Sequence, residues 1–565
     1  MLNNHPHALH LLLKMVKSPP SQIPSIFNSV SFHGFHHTHE SASALLYTFI
    51  SATMFTEAQT LIHQLVAGDL SSHFSLSTLL HHLLHETNGH VETHFTKTVF
   101  DMVIRAQSHS RMPKAALHNF NELIGSNLLP TRTCSNILLN SLVKFDCFAE
   151  ACTVFNQIKE KIGVDIYSFG IMIRGFCKNA DLGRAMVLFS ELKEHNLIPN
   201  VVVYATLIDG FCKIGDIKGA ERLYHEMEER NLTPNEYIYT SMIHGFFKKG
   251  LMKQGSALFM EMKRHGVLPN VFTYNCLIDS RCKTGNISRA FDLLREMREK
   301  GVVPNIITYD ILINGLCQEG RLMEAEKVVK RIKKAGLKHT SFTFNSLIAG
   351  FCKEGRLERA QRFLDRMKSR GPSPDLVTYN IIVSGFGRAG KLVEAANFVQ
   401  EMQARGLAPD KFTFTSLIDA SCRVNNMEKA FELHGLMEKA GFVADLYTYS
   451  VLIHGLCMKG NMKDARKLFG SMHEIKLKPN DVIYNTLING YCKEDNAYRA
   501  LKLLKDMRHS GMVPNIASFS LTINVLCKEG KWQEASALLD EMLKLGLRPC
   551  DVIYDTLSKA RLSGT

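Results

Sequence analysis

From Ile166 to Cys550 the sequence returns to itself every 35 residues, eleven times, without an insertion or a deletion. The copies open at Ile166, Val201, Glu236, Val271, Ile306, Ser341, Leu376, Lys411, Leu446, Asp481 and Ile516. A fixed period of this size constrains the fold more than any other feature of the chain. It belongs to stacked supersecondary units, each too small to bury its own apolar face and each completed by its neighbours.

One copy shows what the unit is. From Val201, apolar residues fall at Tyr204, Leu207, Ile208, Phe211 and Cys212, the stripe of an amphipathic helix. A break follows over Lys213–Asp216, where Gly215 can end a helix in the left-handed region. A second stripe runs through Ala220, Leu223, Tyr224 and Met227, and the copy closes on Pro234 and Asn235. Proline cannot continue a helix, and asparagine suits the start of the next. The register predicts an all-α, right-handed superhelical α-solenoid of helix-turn-helix repeats.

Residues in phase identify the core. Ala220 recurs as Ala185, Ala290, Ala325, Ala360, Ala395, Ala430, Ala465, Ala500 and Ala535, with Gly255 the one substitute. Nine of the fourteen cysteines also share one phase: Cys177, Cys212, Cys282, Cys317, Cys352, Cys422, Cys457, Cys492 and Cys527. They lie whole repeats apart with no CxxC pair among them, so they read as small core residues of a reducing compartment, not as disulfides or zinc ligands.

The first hundred residues differ. Residues 1–40 carry one acidic residue, Glu40, beside Lys14, Lys17 and many Ser and His, which fits an organellar transit peptide; no Arg precedes Arg105, which does not. A disordered leader is the alternative. Fourteen of the twenty-five histidines lie before residue 100. His85, Glu86 and His90 form HExxxH, one residue too long to set both histidines on one helix face, and His33, His36, His37 and His39 read as solvated. Residues 41–96 are expected to be divergent helices capping the array. Thirteen repeats are expected over 97–550, including less regular ones at 97–131 and 132–165, and residues 551–565 form a half repeat. No run approaches a membrane span.

Three phases are polar or aromatic without an evident packing reason. Lys178, Lys213, Lys248, Lys283, Lys353, Arg388, Arg423, Lys493 and Lys528 share one. With a formal net charge of +13, this row predicts contact with phosphates, against the alternative of solvated helix ends. Tyr167, Val202, Tyr237, Phe272, Ile307, Phe342, Val377, Phe412, Tyr447 and Val482 share a second, flat or β-branched and suited to stacking on bases. Packing between neighbouring units is the alternative.

The run Tyr484–Lys493, then Ala500, Met507, Pro514 and Asn515, resembles the pentatricopeptide repeat consensus, and the likeness covers roughly 97–565. The tetratricopeptide repeat has a similar period but calls for a small residue where Ile208, Ile243 and Ile278 stand. The resemblance implies a single-stranded RNA binder of the pure-repeat class, reading one base per repeat. In that family a polar residue in the first turn of the first helix reads the base edge together with the last residue of the repeat. The residue second in the repeat packs on the base face. Carried over, Asn136 with Asp165, Asn345 with Asp375 and Asn380 with Asp410 resemble uracil readers. Thr240 with Asn270 and Ser450 with Asn480 resemble adenine readers, and Thr415 with Asp445 a guanine reader. Asn275 with Asn305 and Asn485 with Asn515 resemble pyrimidine readers, cytosine first. Gly170 and Ala205 lack a polar side chain. Asp101 with Thr131, Asp310 with Thr340 and Ser520 with Cys550 depart from the pattern, and His339 replaces the usual proline.

The function expected is occupancy of a transcript by a monomeric, non-enzymatic protein without cofactor. It would act in organellar RNA processing, stabilisation, splicing or translation, in the mitochondrion or alternatively the chloroplast, with other RNA-processing proteins as partners. The sequence shows no nucleophile–base pair, phosphate-binding glycine loop or metal-ligand set, and it is expected to stop short of any C-terminal deaminase-like or nuclease-like domain. The rival reading is a helical scaffold that binds a protein.

Overall fold

The computed structural model describes residues 39–67, 76–85, 90–549 and 551–563. They form thirty helices, and no strand occurs among the described residues. Residues 1–38, which carry nearly all of the transit-peptide reading of 1–40, and the His85, Glu86 and His90 side chains fall outside them. Chain packing divides the protein into two units, Met1–Thr273 and Tyr274–Thr565. Each is a stack of helix hairpins.

The hairpins follow from the sequence register. In the repeat opened by Val201, the helices are Val201–Ile214 and Ile217–Glu229. The first runs through Lys213 and Ile214, two residues into the expected break, because Gly215 alone takes the left-handed conformation, at φ 89°. Asp216 then caps the second helix by accepting from the Gly219 N–H. The hydroxyls and amides at repeat ends cap the next first helix in the same way: the Asn235 side chain accepts from the Ile238 N–H at 3.0 Å. No described helix is long and apolar enough to cross a membrane.

The alanine phase is fully buried throughout, and Cys212 is buried while Cys352 is half-buried. The cysteine phase has a specific neighbour. A Cβ added to Gly210 would lie 2.8 Å from Cys177 Sγ, and one added to Gly455 would lie 2.7 Å from Cys422 Sγ. Seven of the nine cysteines thus fill the notch left by a glycine on the next helix in phase, while Val525 and Ala560 stand in the glycine phase beyond Cys492 and Cys527. Gly255 is explained likewise, since a Cβ there would meet the Phe247 ring at 2.6 Å.

At the N-terminal end, helices His39–Ser51, Phe55–Ala67 and Leu76–His85 precede a longer helix, His90–His109. Leu46, Phe49, Ile62 and Leu80 share one core with Phe95, Val99 and Phe100 of that helix. The first helix of the 97–131 copy therefore begins ahead of Lys97. At the other end, Asp551–Ser563 is a single helix.

Candidate nucleic-acid interface

The second residue of each first helix is on the surface. Tyr167, Val202, Tyr237, Phe272, Ile307, Phe342, Val377, Phe412, Tyr447 and Val482 are each more than half exposed, from 52% at Tyr237 to 70% at Tyr167. Some also touch the preceding repeat, as Phe272 does His244, with ring centroids 5.9 Å apart. A large apolar side chain left open once is ordinary, but the same phase left open in ten repeats is a row.

Three residues on from these side chains, one step along the same helix face, stands a polar residue of the first turn in every repeat but those of Gly170 and Ala205. In three of the reading pairs the structure joins it directly to the last residue of its repeat. The Asn380 amide donates to both carboxylate oxygens of Asp410, at 3.1 and 3.2 Å. Asn136 does the same to Asp165, at 3.1 and 3.3 Å. Asn275 donates to Asn305 Oδ1 at 3.4 Å.

Most pairs have a third member that the sequence pattern did not single out. Asp410 caps the Lys411–Arg423 helix, and the third residue of that helix, Thr413, places its hydroxyl 2.6 Å from Asn380 Oδ1 and 2.9 Å from Asp410 Oδ1. Ser168 stands 2.7 Å from Asn136, Thr308 2.7 Å from Asn275, Thr378 2.8 Å from Asn345 and Ser518 2.6 Å from Asn485. Where the first-turn residue is threonine, two hydroxyls meet: Thr240 with Thr273 at 2.7 Å and Thr415 with Thr448 at 3.0 Å. The hydroxyl occupies one side of the amide or threonine and so fixes which atoms remain for a ligand. Val203, Ile238 and Ile483 take its place beside Gly170, Ala205 and Ser450, and there Asn200, Asn235 and Asn480 serve as caps, accepting from the backbone N–H of those residues. The signal was present in the sequence as a Ser/Thr phase at the third position. It reads as ordinary capping until the neighbouring repeat is in view.

The carboxylates differ in electrostatics. Burial pushes Asp165 up, but hydrogen bonds from Ser168 and Asn136 and the Arg132 charge outweigh it and hold the group below its ordinary range. Asp445 is likewise penalised by burial yet held low, by Lys411 at 2.7 Å and by Thr448. Asp310 goes the other way: burial raises it, and the hydroxyls of Thr343 and Thr340 only partly offset this. Cys550, the partner of Ser520, lies outside the described residues.

The basic phase is exposed but not bare. In the first unit Lys178 pairs with Asp146 at 2.6 Å and Lys213 with Asp209 at 2.7 Å, while Lys248 donates to the Lys213 carbonyl at 3.1 Å. In the second, Lys283 pairs with Asp279 at 2.7 Å, Arg423 with Asp419 at 2.9 Å and Lys528 with Asp495 at 3.1 Å. Lys353 donates to the Gln318 carbonyl at 2.8 Å, and Lys493 lies 3.5 Å from Met458 Sδ. Exposed pairs of this kind are worth at most about 1 kcal/mol, so each cation can leave its carboxylate at little cost.

The profile of the PPR repeat family matches residues 164–213, 199–246, 234–283, 269–318, 304–353, 339–388, 374–423, 416–458 and 479–528. The PPR repeat profile matches 133–161, 447–477 and 517–547. A pentatricopeptide repeat-containing protein of Arabidopsis thaliana is 45% identical over 199 residues, 35% of this chain and 34% of its own length. A second from Arabidopsis thaliana, named as chloroplastic, is 35% identical over 79 residues, 14% of this chain and 9% of its own. The matches thus span about a third or less of those relatives. The crystal structure of the pentatricopeptide repeat protein PPR10 from maize aligns with a TM-score of 0.62 over 100% of this chain and 92% of its own, at 21% identity, a likeness of fold.

Proposed function

This chain belongs to the pentatricopeptide repeat family, and from that premise we propose that it is a sequence-specific binder of single-stranded RNA that acts by occupying an organellar transcript. One observation carries the reading. In repeat after repeat an exposed flat or β-branched side chain stands beside a polar pair whose orientation is fixed by a neighbouring hydroxyl. The first offers a face on which any base stacks; the second offers a defined donor and acceptor set to the base edge. A bound strand is shielded, kept single-stranded or presented to other machinery, and the chain needs no cofactor or catalysis of its own for this. The acid-poor residues 1–40 and the relative named as chloroplastic support an organellar site of action, for which the mitochondrion is the first expectation.

With the 5′ end of the RNA towards the N-terminus, the repeats from Ser341 onward read U-U-G-A-C through the pairs Asn345/Asp375, Asn380/Asp410, Thr415/Asp445, Ser450/Asn480 and Asn485/Asn515. The test uses two RNAs that differ only in guanine or uracil at the third of these positions, and two proteins, parent and Thr415→Asn. The substitution gives that repeat the Asn–Asp pair of its neighbour. Parent protein is expected to prefer guanine and the variant uracil, each by about five- to a hundred-fold, the range of one well-matched polar pair. Equal binding of both RNAs by both proteins would remove direct base reading and favour the protein-scaffold alternative.

A further inference from the structure

The groove between the second helices of the repeats opened by Ile306 and Ser341 departs from its counterparts. In the other 35-residue repeats, a left-handed residue ends the second helix and the next residue's N–H returns to the helix, as Leu337 N–H does to the Ile332 carbonyl at 3.1 Å. In the Ser341 copy that next residue is Pro372, which has no N–H and favours an extended residue before it. Gly371 accordingly sits at φ −113° and ψ −169°, and the helix runs on to Arg370.

The charges depart as well. In two other grooves a lysine of one second helix pairs with a glutamate of the next, Lys193 with Glu226 at 2.6 Å and Lys368 with Glu401 at 2.7 Å. That glutamate also accepts from a core tyrosine, Tyr204 at 2.9 Å and Tyr379 at 2.8 Å. In this groove Lys333 has the lysine phase, but Arg366 stands where the glutamate belongs and Phe344 where the tyrosine belongs. The result is a cavity of about 910 Å³ walled by Phe344, Phe363 and Leu347 and rimmed by Lys330, Lys333, Lys338, Arg366 and Arg370. In the corresponding groove between the Leu446 and Asp481 copies, lined by Phe469, Tyr491 and Asp506 among others, the cavity is about 90 Å³. Among the described residues no carboxylate forms an ion pair with any of the five cations of the rim. His339, also on the wall, has a buried Nδ1 without a hydrogen-bond partner.

Gathering like charges around a hollow costs stability unless an anion offsets it, and a buried polar atom without a partner calls for one. We infer that this cavity, whose wall includes Thr343 beside the off-pattern pair Asp310 and Thr340 but none of the exposed second residues, is a second binding site for a compact organic polyanion with a flat ring, of the class of a nucleoside diphosphate. The ring lies among the phenylalanines and the phosphates meet the Lys333–Arg366 rim. The volume is within the range of small-molecule sites.

The test measures binding of ADP to the full-length protein by calorimetry at low salt, without RNA. One equivalent of ADP is expected to bind saturably, with adenosine at least tenfold weaker. Phe344→Tyr combined with Arg366→Glu rebuilds the pair that Tyr204 makes with Glu226 and Tyr379 with Glu401, so it is expected to keep the fold, checked by circular dichroism, while weakening ADP at least tenfold. Thr415→Asn, which alters only base reading, is expected to leave ADP binding unchanged. Absence of saturable ADP binding, or binding that the double variant does not weaken, overturns the site and leaves the RNA reading untouched.

Discussion

Thr413 shows how much a single hydroxyl decides. It stands between Asn380 and Asp410 and donates only one proton. While it faces Asn380 Oδ1, the Asn380 amide is held with its N–H groups towards Asp410. Thr413→Val keeps the shape and deletes that restraint, so the amide can turn over. Uracil preference at that nucleotide is expected to fall by about threefold to tenfold, the worth of roughly one hydrogen bond, with Thr413→Ser restoring it. Anisotropy titrations with four RNAs differing at one base check this, and full discrimination by the valine variant would reduce Thr413 to a helix cap. Asp310 makes a different case. Its folded pKa is raised by burial, so the folded chain binds the proton more tightly than the unfolded one. The associated stability is present below the unfolded pKa, about 4, and is lost as pH rises through the folded value. At neutral pH the carboxylate is therefore a liability. Asp310→Asn is expected to melt higher than the parent near neutral pH, with the gain shrinking towards pH about 4; a gain that grows in acid would contradict the sign. Of these two residues only the departure of Asp310 from the family pattern was legible in the sequence. The Thr413 contact was not, because it links residues 33 apart on neighbouring repeats.

At the scale of the helix, the alanine and cysteine phases were legible because periodicity alone marks an inward face. What a cysteine meets was not, since that depends on how closely two first helices approach. A Cβ on Gly385 would lie 2.3 Å from Cys352 Sγ, whereas one repeat later the sizes are exchanged, with Gly387 in the cysteine phase and Ala420 in the glycine phase. Gly385→Ala gains up to about 1 kcal/mol of helix propensity but overpacks a filled notch, which costs about 1–3 kcal/mol. A net loss of about 1 kcal/mol is expected. Combining it with Cys352→Gly copies the exchanged pair, and the double variant should be destabilised by less than the sum of the two single changes. Urea denaturation of the four proteins measures the coupling; strict additivity would mean that the helices separate to admit the methyl.

For the whole molecule, the uninterrupted period implies that a unit can be removed where its two neighbours suit each other. Residues 376–410 are a poor choice, because their loss sets Cys352 against Ala420 instead of Gly385. Residues 306–340 are a good one. Their loss sets Cys282 against Gly350, a glycine that already receives a cysteine, and joins Asn305 to Ser341. Asn305 then caps a helix whose third residue is Thr343, and that hydroxyl takes over the position Thr308 holds beside Asn275. The excised unit carries the off-pattern pair Asp310 and Thr340, so the deletion removes one poorly defined position from the footprint and leaves both flanks readable. Parent protein is expected to bind 5′-C-N-U-U-G-A-C more tightly than 5′-C-U-U-G-A-C, and the deletion variant is expected to reverse that order. The comparison depends on register and not on absolute affinity, so a modest general loss of binding does not obscure it. If the deletion variant folds, by circular dichroism, and still prefers the spaced RNA, the bases are not read one per repeat along this stretch.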